Sequence, residues 1–449
     1  MNAVRAIIFC LLFAFCFHAN AAQTNSIVWH KTTGRVDADV RGETLWPLLE
    51  QIAAQVGWKI YVEPGTERVA SAKFKNLPSG DALRMLLGDL NFALVPQTNT
   101  PALLYVFTTK IQNATRLVRT GKHAKHVPNE LLLRVKPGTD IDALAKMLGA
   151  KITGRMDKYG IYRLQFAGAD ATDSALSQLQ NDSDVLDADY NYYFDPPTSP
   201  QMISSAPIGP LSLQLNPPQN SGKVIVGLVD TAVQSLGDQL NQFLLKQISI
   251  ADGTSDSDGI THGTAMAYTL LEAIAQASGG KSSVQILPAD VYGGNAATTS
   301  WDVALGIQAV VNGGANVVNL SLGSASDSSI LDSVIQQGIS DGITFFASAG
   351  NTPVNTPTFP AAIPGVNDVT ALSLPGQIAS YANFWAGVDM ALPGTSIVYF
   401  GSQAYVVQGT SPAAAYATGV FAGTMNSNFG STAPQIISAM QQKFPVPGK

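Results

Sequence analysis

Cysteine is nearly absent from this 449-residue sequence, and both copies, Cys10 and Cys16, lie in one apolar run near the amino end. Arg5 precedes the run and the triplet A-N-A follows it, so we expect residues 1–21 to be a cleavable signal peptide. The run is too short to span a bilayer comfortably, and no membrane span is expected after its removal. The mature chain would contain no cysteine, so it could not use disulfides or thiolate metal sites.

Charge is also scarce. Only 13% of the residues are charged, and the net charge is −6. Proteins that bind nucleic acid or an anionic membrane surface through electrostatics carry basic patches, so we expect no nucleic-acid partner. Apolar residues make up 46% of the chain, which at this length predicts two or three domains with cores of their own.

Histidine occurs five times, and only His262 lies beyond position 126. It sits in T-H-G-T-A-M-A, between an apolar run that ends in Asp230 and the segment Q-G-T-S-P-A-A-A centred on Ser411. A serine hydroxyl becomes a nucleophile when a neutral imidazole takes its proton, and a carboxylate holds that imidazole in the required tautomer. These residue types predict nucleophilic acyl transfer, with Ser411 as nucleophile, His262 as general base and Asp230 as the orienting acid.

The order of these residues narrows the choice of family. The chymotrypsin type runs His, Asp, Ser and the α/β-hydrolases run Ser, acid, His, whereas the order here is Asp, His, Ser. With N-L-S-L-G at residues 319–323 and A-S-A-G-N at residues 347–351, residues 222–449 resemble a subtilisin-family serine peptidase. The resemblance implies Asn351 as an oxyanion donor beside the Ser411 backbone N–H. It also implies a substrate cleft lined by Ser321, Leu322, Gly323, Ala349 and Gly350.

These lining residues are uncharged, so we expect an apolar or broad preference for the substrate residue before the scissile bond. Strands alternate with helices after residue 222, which predicts an α/β fold with a doubly wound, mostly parallel sheet. Asp230 and Asn351 follow strand ends, where such sheets bind ligands. Pro412 suits the first position of a helix that starts after Ser411.

Two small α+β domains are expected before the catalytic region. Residues 125–196 alternate strands and helices and end in V-x-x-A-D-x-N-Y-x-F. They resemble a subtilisin propeptide, which implies an inhibitor and chaperone of the enzyme that follows. Residues 197–221 are rich in Pro, Ser, Gln and Asn and read as a linker where processing occurs.

Residues 22–115 also alternate strands and helices, with helical apolar spacing in L-W-P-L-L-E-Q-I-A-A-Q-V-G-W. This pattern resembles the short N-terminal domain of secretins and TonB-dependent receptors. In those families the domain contacts envelope proteins, so the resemblance implies an envelope partner and a Gram-negative origin. A folding module without a ligand is the alternative.

No cofactor is required by this chemistry. Residues 252–259, D-G-T-S-D-S-D-G, have carboxylates at calcium-like spacing but lack the closing Glu of a helix–loop–helix site, so a hydrophilic loop is favoured over a calcium site. Two positions depart from the family pattern, Ala232 and Thr261, where glycine is usual.

The leading hypothesis is a serine endopeptidase that is made as an exported zymogen, periplasmic or secreted, and acts on polypeptides. It would cleave its own chain between about Phe194 and Ser221. A second hypothesis is a catalytically weak or inactive scaffold of the same fold, which keeps its propeptide docked and binds an envelope partner through the first domain. An esterase or a transpeptidase would use the same first half-reaction, so these two activities remain alternatives.

Overall fold

The structure is a computed structural model, and no helix in the part that it describes is long and apolar enough to cross a membrane. The predicted signal peptide lies outside the described residues, as does most of the predicted linker. The chain divides into two compact units, Met1–Val118 and Arg119–Lys449. The described residues are 26–30, 33–63, 66, 68–96, 102–114, 116–118, 125–179, 182–203, 213–216, 223–253, 259–374, 376–428 and 430–448.

The first unit is a small α+β domain with two sheets. Its strands are β1 (Ser26–His30), β2 (Arg35–Thr44), β3 (Lys59–Val62), β4 (Val69–Pro78), β5 (Asn91–Val95), β6 (Leu103–Phe107) and β7 (Arg116–Val118). Its helices are α1 (Leu45–Val56) and α2 (Ser79–Leu87). One sheet has the order β1-β2-β4 and is antiparallel; the other has the order β5-β6-β3-β7.

Both helices of this unit bury an apolar stripe, as helical spacing of the apolar residues requires. Helix α1 ends at Gly57, whose φ of 76° is the left-handed conformation that glycine adopts readily. The α2 residues that are buried are Ala82, Leu83, Leu86 and Leu87. Those of α1 are Leu45, Leu48, Leu49, Ile52 and Ala53.

The second unit begins with the segment that resembles a propeptide. It contains β8 (His126–Val135), α3 (Ile141–Met147), β9 (Lys151–Met156), β10 (Ile161–Gln165), α4 (Ala169–Leu179) and β11 (Val185–Phe194). Alternate residues of β8 face opposite sides of this sheet: Leu131 and Leu133 pack with α3 and α4, whereas Leu132 packs against the rest of the unit.

The remainder of the unit contains thirteen strands and six helices within the described residues. The strands are β12 (Gln201–Ile203), β13 (Gln214–Leu215), β14 (Ile225–Asp230), β15 (Ile248–Ser249), β16 (Lys281–Ser282), β17 (Gln285–Asp290), β18 (Thr298–Thr299), β19 (Val317–Leu320), β20 (Thr344–Ser348), β21 (Asn367–Leu372), β22 (Met390–Pro393), β23 (Thr395–Phe400) and β24 (Gln403–Gln408). The helices are α5 (Asp238–Asn241), α6 (His262–Ser278), α7 (Ser300–Asn312), α8 (Ser329–Ser340), α9 (Thr410–Ser427) and α10 (Ala433–Lys443).

Seven of these strands form one parallel sheet in the order β15-β17-β14-β19-β20-β21-β22. Strand β14 lies between β17 and β19, so the strand order changes direction there and the carboxyl end of β14 is a switch point. Val226 and Leu228 pack with α6 and α9 on one face, and Ile225 and Val229 pack with α7 and α8 on the other. The predicted doubly wound α/β fold is confirmed.

Smaller sheets complete the unit. Strands β12, β24 and β23 form an antiparallel sheet, and β13 pairs with β16. Strand β18 adds to the propeptide-like sheet through β11, giving the order β18-β11-β8-β10-β9. The propeptide-like sheet therefore packs on α7 and α8 and is joined to their domain by strand pairing as well as by apolar contacts.

Candidate active site

The acid and the base of the candidate site form a buried pair. Asp230 ends β14, at the switch point of the parallel sheet, and His262 is the first residue of α6. Nδ1 of His262 and Oδ1 of Asp230 are 2.8 Å apart, and both side chains are almost fully buried. The same Asp230 oxygen accepts from the Thr231 N–H at 2.7 Å. In this arrangement the Nδ1–H of His262 donates to the Asp230 carboxylate, which leaves Nε2 as the nitrogen that can accept a proton.

The two positions that depart from the family pattern contact each other. The Thr261 hydroxyl donates to the Ala232 carbonyl oxygen at 2.6 Å and accepts from the Thr264 N–H at 3.2 Å. Thr261 is therefore the N-cap of α6 and also ties that helix to the loop after Asp230. Gly263 is needed beside it, because a Cβ there would lie 2.1 Å from the Thr231 carbonyl oxygen.

Helices α6 and α9 pack side by side and run parallel. A Cβ on Gly419 would lie 2.6 Å from the Leu270 carbonyl oxygen, and one on Gly423 would lie 3.2 Å from backbone atoms of Ile274. Helix backbones approach this closely only where one side chain is absent. About two turns earlier in each helix, the same alignment brings Ser411 level with His262.

Ser411 is the second residue of α9, which begins at Thr410 after the N-cap Gly409. Pro412 is therefore the third residue of the helix, and the prediction that it occupies the first position is wrong. Ser411 is not the helix cap. The Ser411 hydroxyl donates to the Ser321 carbonyl oxygen at 3.2 Å. No hydrogen bond joins it to His262 in the described part of the chain.

Asn351 lies after β20, next to the start of α9. Its Oδ1 accepts from the Thr410 N–H at 2.8 Å and from the Thr410 hydroxyl at 3.1 Å. Because an N–H must face the oxygen, this contact fixes which end of the amide is which, and Nδ2 points away from Thr410. The side chain is exposed, so Nδ2 and the unpaired N–H groups at the start of α9 can donate to a developing oxyanion.

The residues expected to line a cleft are mostly buried. Ser321 and Ala349 are fully buried and Leu322 is nearly so, while Gly323 and Gly350 are half-buried. The Ser321 hydroxyl donates to the Ser411 carbonyl oxygen at 3.0 Å and accepts from Asn319 at 2.8 Å. In this structure the N-L-S-L-G segment therefore holds the start of α9 in place, and Gly323 and Gly350 are the members of the predicted lining that reach the surface.

Sequence reasoning missed three threonines that position the candidate site: Thr231, Thr261 and Thr410. The Thr231 hydroxyl accepts from the Gly263 N–H at 2.8 Å, and the Thr410 hydroxyl accepts from the Gly350 N–H at 3.0 Å. Each threonine directly precedes or follows a candidate residue, which is the signal that could have identified them. Ser and Thr hydroxyls at helix starts satisfy backbone N–H groups that have no helical partner.

No group of three or more metal-ligating side chains occurs in the described residues. Residues 254–258 of the segment with calcium-like spacing lie outside them. The expectation that this segment is a hydrophilic loop and not a calcium site therefore stays a prediction.

The site chemistry and the parallel sheet agree with the comparisons to known proteins. Residues 221–443 match the model of the subtilase family, and residues 112–191 match that of the fervidolysin N-terminal prodomain. We call residues 221–443 the subtilase domain after this match. Residues 112–191 form a prodomain-like region, and the predicted propeptide is confirmed at that level. The resemblance of the first domain to secretins and TonB-dependent receptors stays a prediction.

Several proteases are similar to the subtilase domain. The chain is 29% identical to the M-protease of Shouchella clausii over 256 residues, 55% of this chain and 67% of the relative. It is 30% identical to the thermostable alkaline protease of Halalkalibacterium halodurans over 201 residues, 44% and 55% of the two chains. Subtilisin Savinase of Lederbergia lenta is 30% identical over 172 residues, 37% and 64%. The chain thus spans about 55 to 67% of the length of these relatives.

Two solved structures share the fold. Fervidolysin from Fervidobacterium pennivorans superposes with a TM-score of 0.54 at 19% identity, over 71% of this chain and 57% of that chain. The epidermin leader peptide processing serine protease from Staphylococcus aureus gives a TM-score of 0.52 at 13% identity, over 70% and 92%. At these identities the likeness concerns the fold alone.

Proposed function

We propose that this chain is a serine endopeptidase, made as an exported zymogen, that hydrolyses peptide bonds through an acyl-enzyme on Ser411. The observation that carries the proposal is the buried Asp230–His262 pair at the start of α6, level with Ser411 at the start of the parallel α9. His262 takes the hydroxyl proton as Ser411 attacks and returns it to the leaving amine. Asp230 stabilises the imidazolium, and Asn351 with the Ser411 N–H receives the oxyanion.

The substrate class is polypeptide, with an apolar or broad preference before the scissile bond. Uncharged residues at Ser321–Gly323 and Ala349–Gly350 support this preference, because a basic side chain would find no carboxylate among them. Export to the periplasm or the medium is supported by the signal-like first 21 residues. An envelope partner for the first domain rests on its resemblance alone.

The prodomain is proposed to inhibit the enzyme until it is removed. Its support is a polar and apolar interface with the subtilase domain. Arg163 lies 5.4 Å from the ring centre of Trp301, and a Cβ on Gly154 would lie 2.3 Å from that ring. The Tyr192 N–H donates to the Ser300 hydroxyl at 3.1 Å.

A fluorophosphonate probe, which reacts only with an activated serine, tests the proposal that Ser411 is the nucleophile.

The wild type and the control Ser402→Ala, an exposed loop serine, should be labelled and should hydrolyse peptides, whereas Ser411→Ala should do neither and should accumulate as a folded, full-length precursor. If the wild type, freed of its prodomain, neither reacts with the probe nor hydrolyses peptides, the scaffold hypothesis replaces this one. Hydrolysis of ester substrates but not of peptide substrates would favour the esterase hypothesis.

A further inference from the structure

Gln234 lies in the loop between β14 and α5, and its side chain contacts the segment that begins α6. Its Oε1 accepts from the Thr261 N–H at 2.9 Å and from the Thr264 hydroxyl at 3.1 Å. Its Nε2 donates to the Gly259 carbonyl oxygen at 3.0 Å. Because an N–H faces Oε1, these contacts fix which end of the amide is which. Both ends of the amide are therefore bonded to the segment that begins α6.

These contacts complete a helix cap whose parts come from two segments of the chain. In a capping box the N-cap hydroxyl accepts from the N–H of the third helical residue, and the side chain of that third residue accepts from the N-cap N–H. Here the Thr261 hydroxyl accepts from the Thr264 N–H at 3.2 Å, but the acceptor for the Thr261 N–H is Gln234. The loop after Asp230 therefore supplies one half of the cap of the helix that His262 begins.

The backbone of the same loop is held together with the side chain. The Gln234 N–H donates to the Thr264 hydroxyl at 2.8 Å, and the Val233 N–H donates to Gln247 Oε1 at 2.6 Å. Thr264 is fully buried and Thr261 is nearly so. A buried donor that loses its acceptor is costly, because water does not replace the lost bond. The loop therefore cannot shift against the start of α6 without a loss of stability.

The contact between the two segments matters because each carries one member of the buried pair. Asp230 ends β14 and His262 begins α6, and their side chains are 2.8 Å apart. A shift of α6 against the loop would move the imidazole relative to the carboxylate and to Ser411 together. A misplacement of about 1 Å can cost about 10²-fold in rate, since the reacting atoms must be aligned before the chemical step.

We propose that Gln234 is a positioning residue for the reaction: its amide oxygen holds the start of α6 to the loop after Asp230, so that the His262 imidazole meets both its acid and Ser411. This inference rests on the proposed function and adds to it a residue that touches none of the reacting atoms. The chemical step therefore depends on the Gln234 amide oxygen. Substrate binding does not, because the predicted cleft residues lie on other segments.

The test separates the amide oxygen from the bulk of the side chain. Gln234→Met keeps the length of the side chain but offers no oxygen to the two donors. Gln234→Glu keeps an oxygen for both donors and loses only the donor to Gly259. The matched control is Gln239→Met, at an exposed glutamine of α5. Each full-length chain is left to release its prodomain, its active sites are counted with the fluorophosphonate probe, and kinetics are measured on a peptide substrate.

The expected result is a loss in kcat and not in KM. Gln234→Met should lower kcat per labelled site by about 10- to 100-fold and leave KM within about twofold of the wild type. Gln239→Met should match the wild type, and the kcat of Gln234→Glu should lie nearer to the wild type than to Gln234→Met. A purely structural role would reduce the number of labelled sites or the Tm without changing kcat per site, and that result would overturn the inference. A loss in KM alone, or equally low kcat in the Met and Glu variants, would overturn it too.

Two further provisions keep the result interpretable. If Gln234→Met does not fold, Gln234→Asn replaces it, because its amide is one methylene too short to reach both donors, and the same outcomes apply. If the wild type is labelled and hydrolyses peptides while the variants keep its kcat, the inference fails and the proposed function stands. If the wild type, freed of its prodomain, does neither, the proposed function fails and the inference fails with it.

Discussion

At the scale of single residues, the orientation of the Asn351 amide depends on Thr410. The Thr410 N–H and hydroxyl both donate to Oδ1, so the amide cannot turn over without placing its NH2 group against the Thr410 N–H, which is also a donor. Gly409 allows this close contact, because a Cβ there would lie 2.9 Å from Nδ2. Thr410 therefore positions the Asn351 amide and also begins the helix that carries Ser411.

Replacing Asn351 should affect the rate of the chemical step and leave folding intact. We expect Asn351→Ala to lower kcat by about 10²–10³-fold with a small change in KM, a magnitude known from subtilisin itself and borrowed here. Steady-state kinetics on a peptide substrate measure it. Asn355→Ala, an exposed asparagine on the same loop, is the control and should match the wild type. Equal kcat in both variants would exclude Asn351 as the donor.

Thr261 is a second residue whose role is local. Thr261→Ala removes the N-cap of α6 and its bond to Ala232, and should cost about 1 kcal/mol of stability. We expect kcat to fall too, because His262 begins that helix. The control is Thr432→Ala, which removes the cap of α10 and should reduce the melting temperature without lowering kcat. An unaltered kcat in Thr261→Ala would show that the cap does not position His262.

At the scale of elements, the parallel contact of α6 with α9 decides whether the proposed base, His262, and the proposed nucleophile, Ser411, meet. The two helices begin at His262 and Thr410, far apart in the sequence. Glycines on one side of α9 permit backbone approach to α6, and this approach sets the level of one helix against the other. A shift by a single residue would move Ser411 about 1.5 Å along the axis.

Gly419→Ala should disturb this alignment, since the new Cβ would lie 2.6 Å from backbone of Leu270. We expect a loss of stability of about 1–3 kcal/mol and a larger fractional loss of kcat than of binding. Urea unfolding and steady-state kinetics measure the two effects. In the control Gly430→Ala nothing lies within 4 Å of the new Cβ, and neither quantity should change. Full activity in Gly419→Ala would contradict the alignment.

At the scale of the whole molecule, the prodomain is bound through the first turns of α7 and α8. Asp189 accepts from the Ser329 N–H at 3.1 Å, and Asn191 accepts from the Trp301 N–H at 3.0 Å. Both acceptors are buried, and they occupy helix amino ends, where N–H groups lack helical partners. The interface therefore combines these polar contacts with the apolar face of the propeptide-like sheet.

Asp189→Ala should weaken the hold of the prodomain after processing. Removing a buried charged acceptor costs about 1.5–3 kcal/mol, which corresponds to roughly 10- to 100-fold in the inhibition constant. The lag before peptide hydrolysis begins should shorten accordingly. Asp170→Ala, an exposed aspartate in the first turn of α4, is the control and should keep the wild-type lag. Equal lags would show that Asp189 does not hold the prodomain.

The first unit has its own pH dependence. Hydrogen bonds from Thr109, then from Thr108, lower the pKa of Glu63 from 4.5 to about 2. A lowered pKa in the folded state stabilises the unit above pH 4.5, and this contribution is lost as the pH falls toward 2. Hydrogen exchange at residues 108–109 should therefore rise relative to other amides across that range. In Glu63→Gln this pH-dependent change should be absent; its persistence would assign it to another group.

The sequence by itself determined the class of chemistry and the type of fold. Asp230, His262 and Ser411 could be recognised as candidates because each lies in a short motif of small residues and because their order is typical of one family. Alternating strands and helices predicted the parallel sheet, and the propeptide pattern ended at Phe194, where β11 ends. Each of these motifs and patterns lies within a short stretch of the sequence, so residue type and local spacing reveal it.

Only the tertiary structure decided how the separate motifs meet. Thr261 contacts Ala232, Thr410 contacts Asn351, and β12 pairs with β24, yet no local pattern links the members of these pairs. Two-residue strands such as β18 are too short to show periodicity. Contacts of this kind depend on the level at which α9 packs against α6 and on where the prodomain lies on α7 and α8, and packing between distant segments sets both.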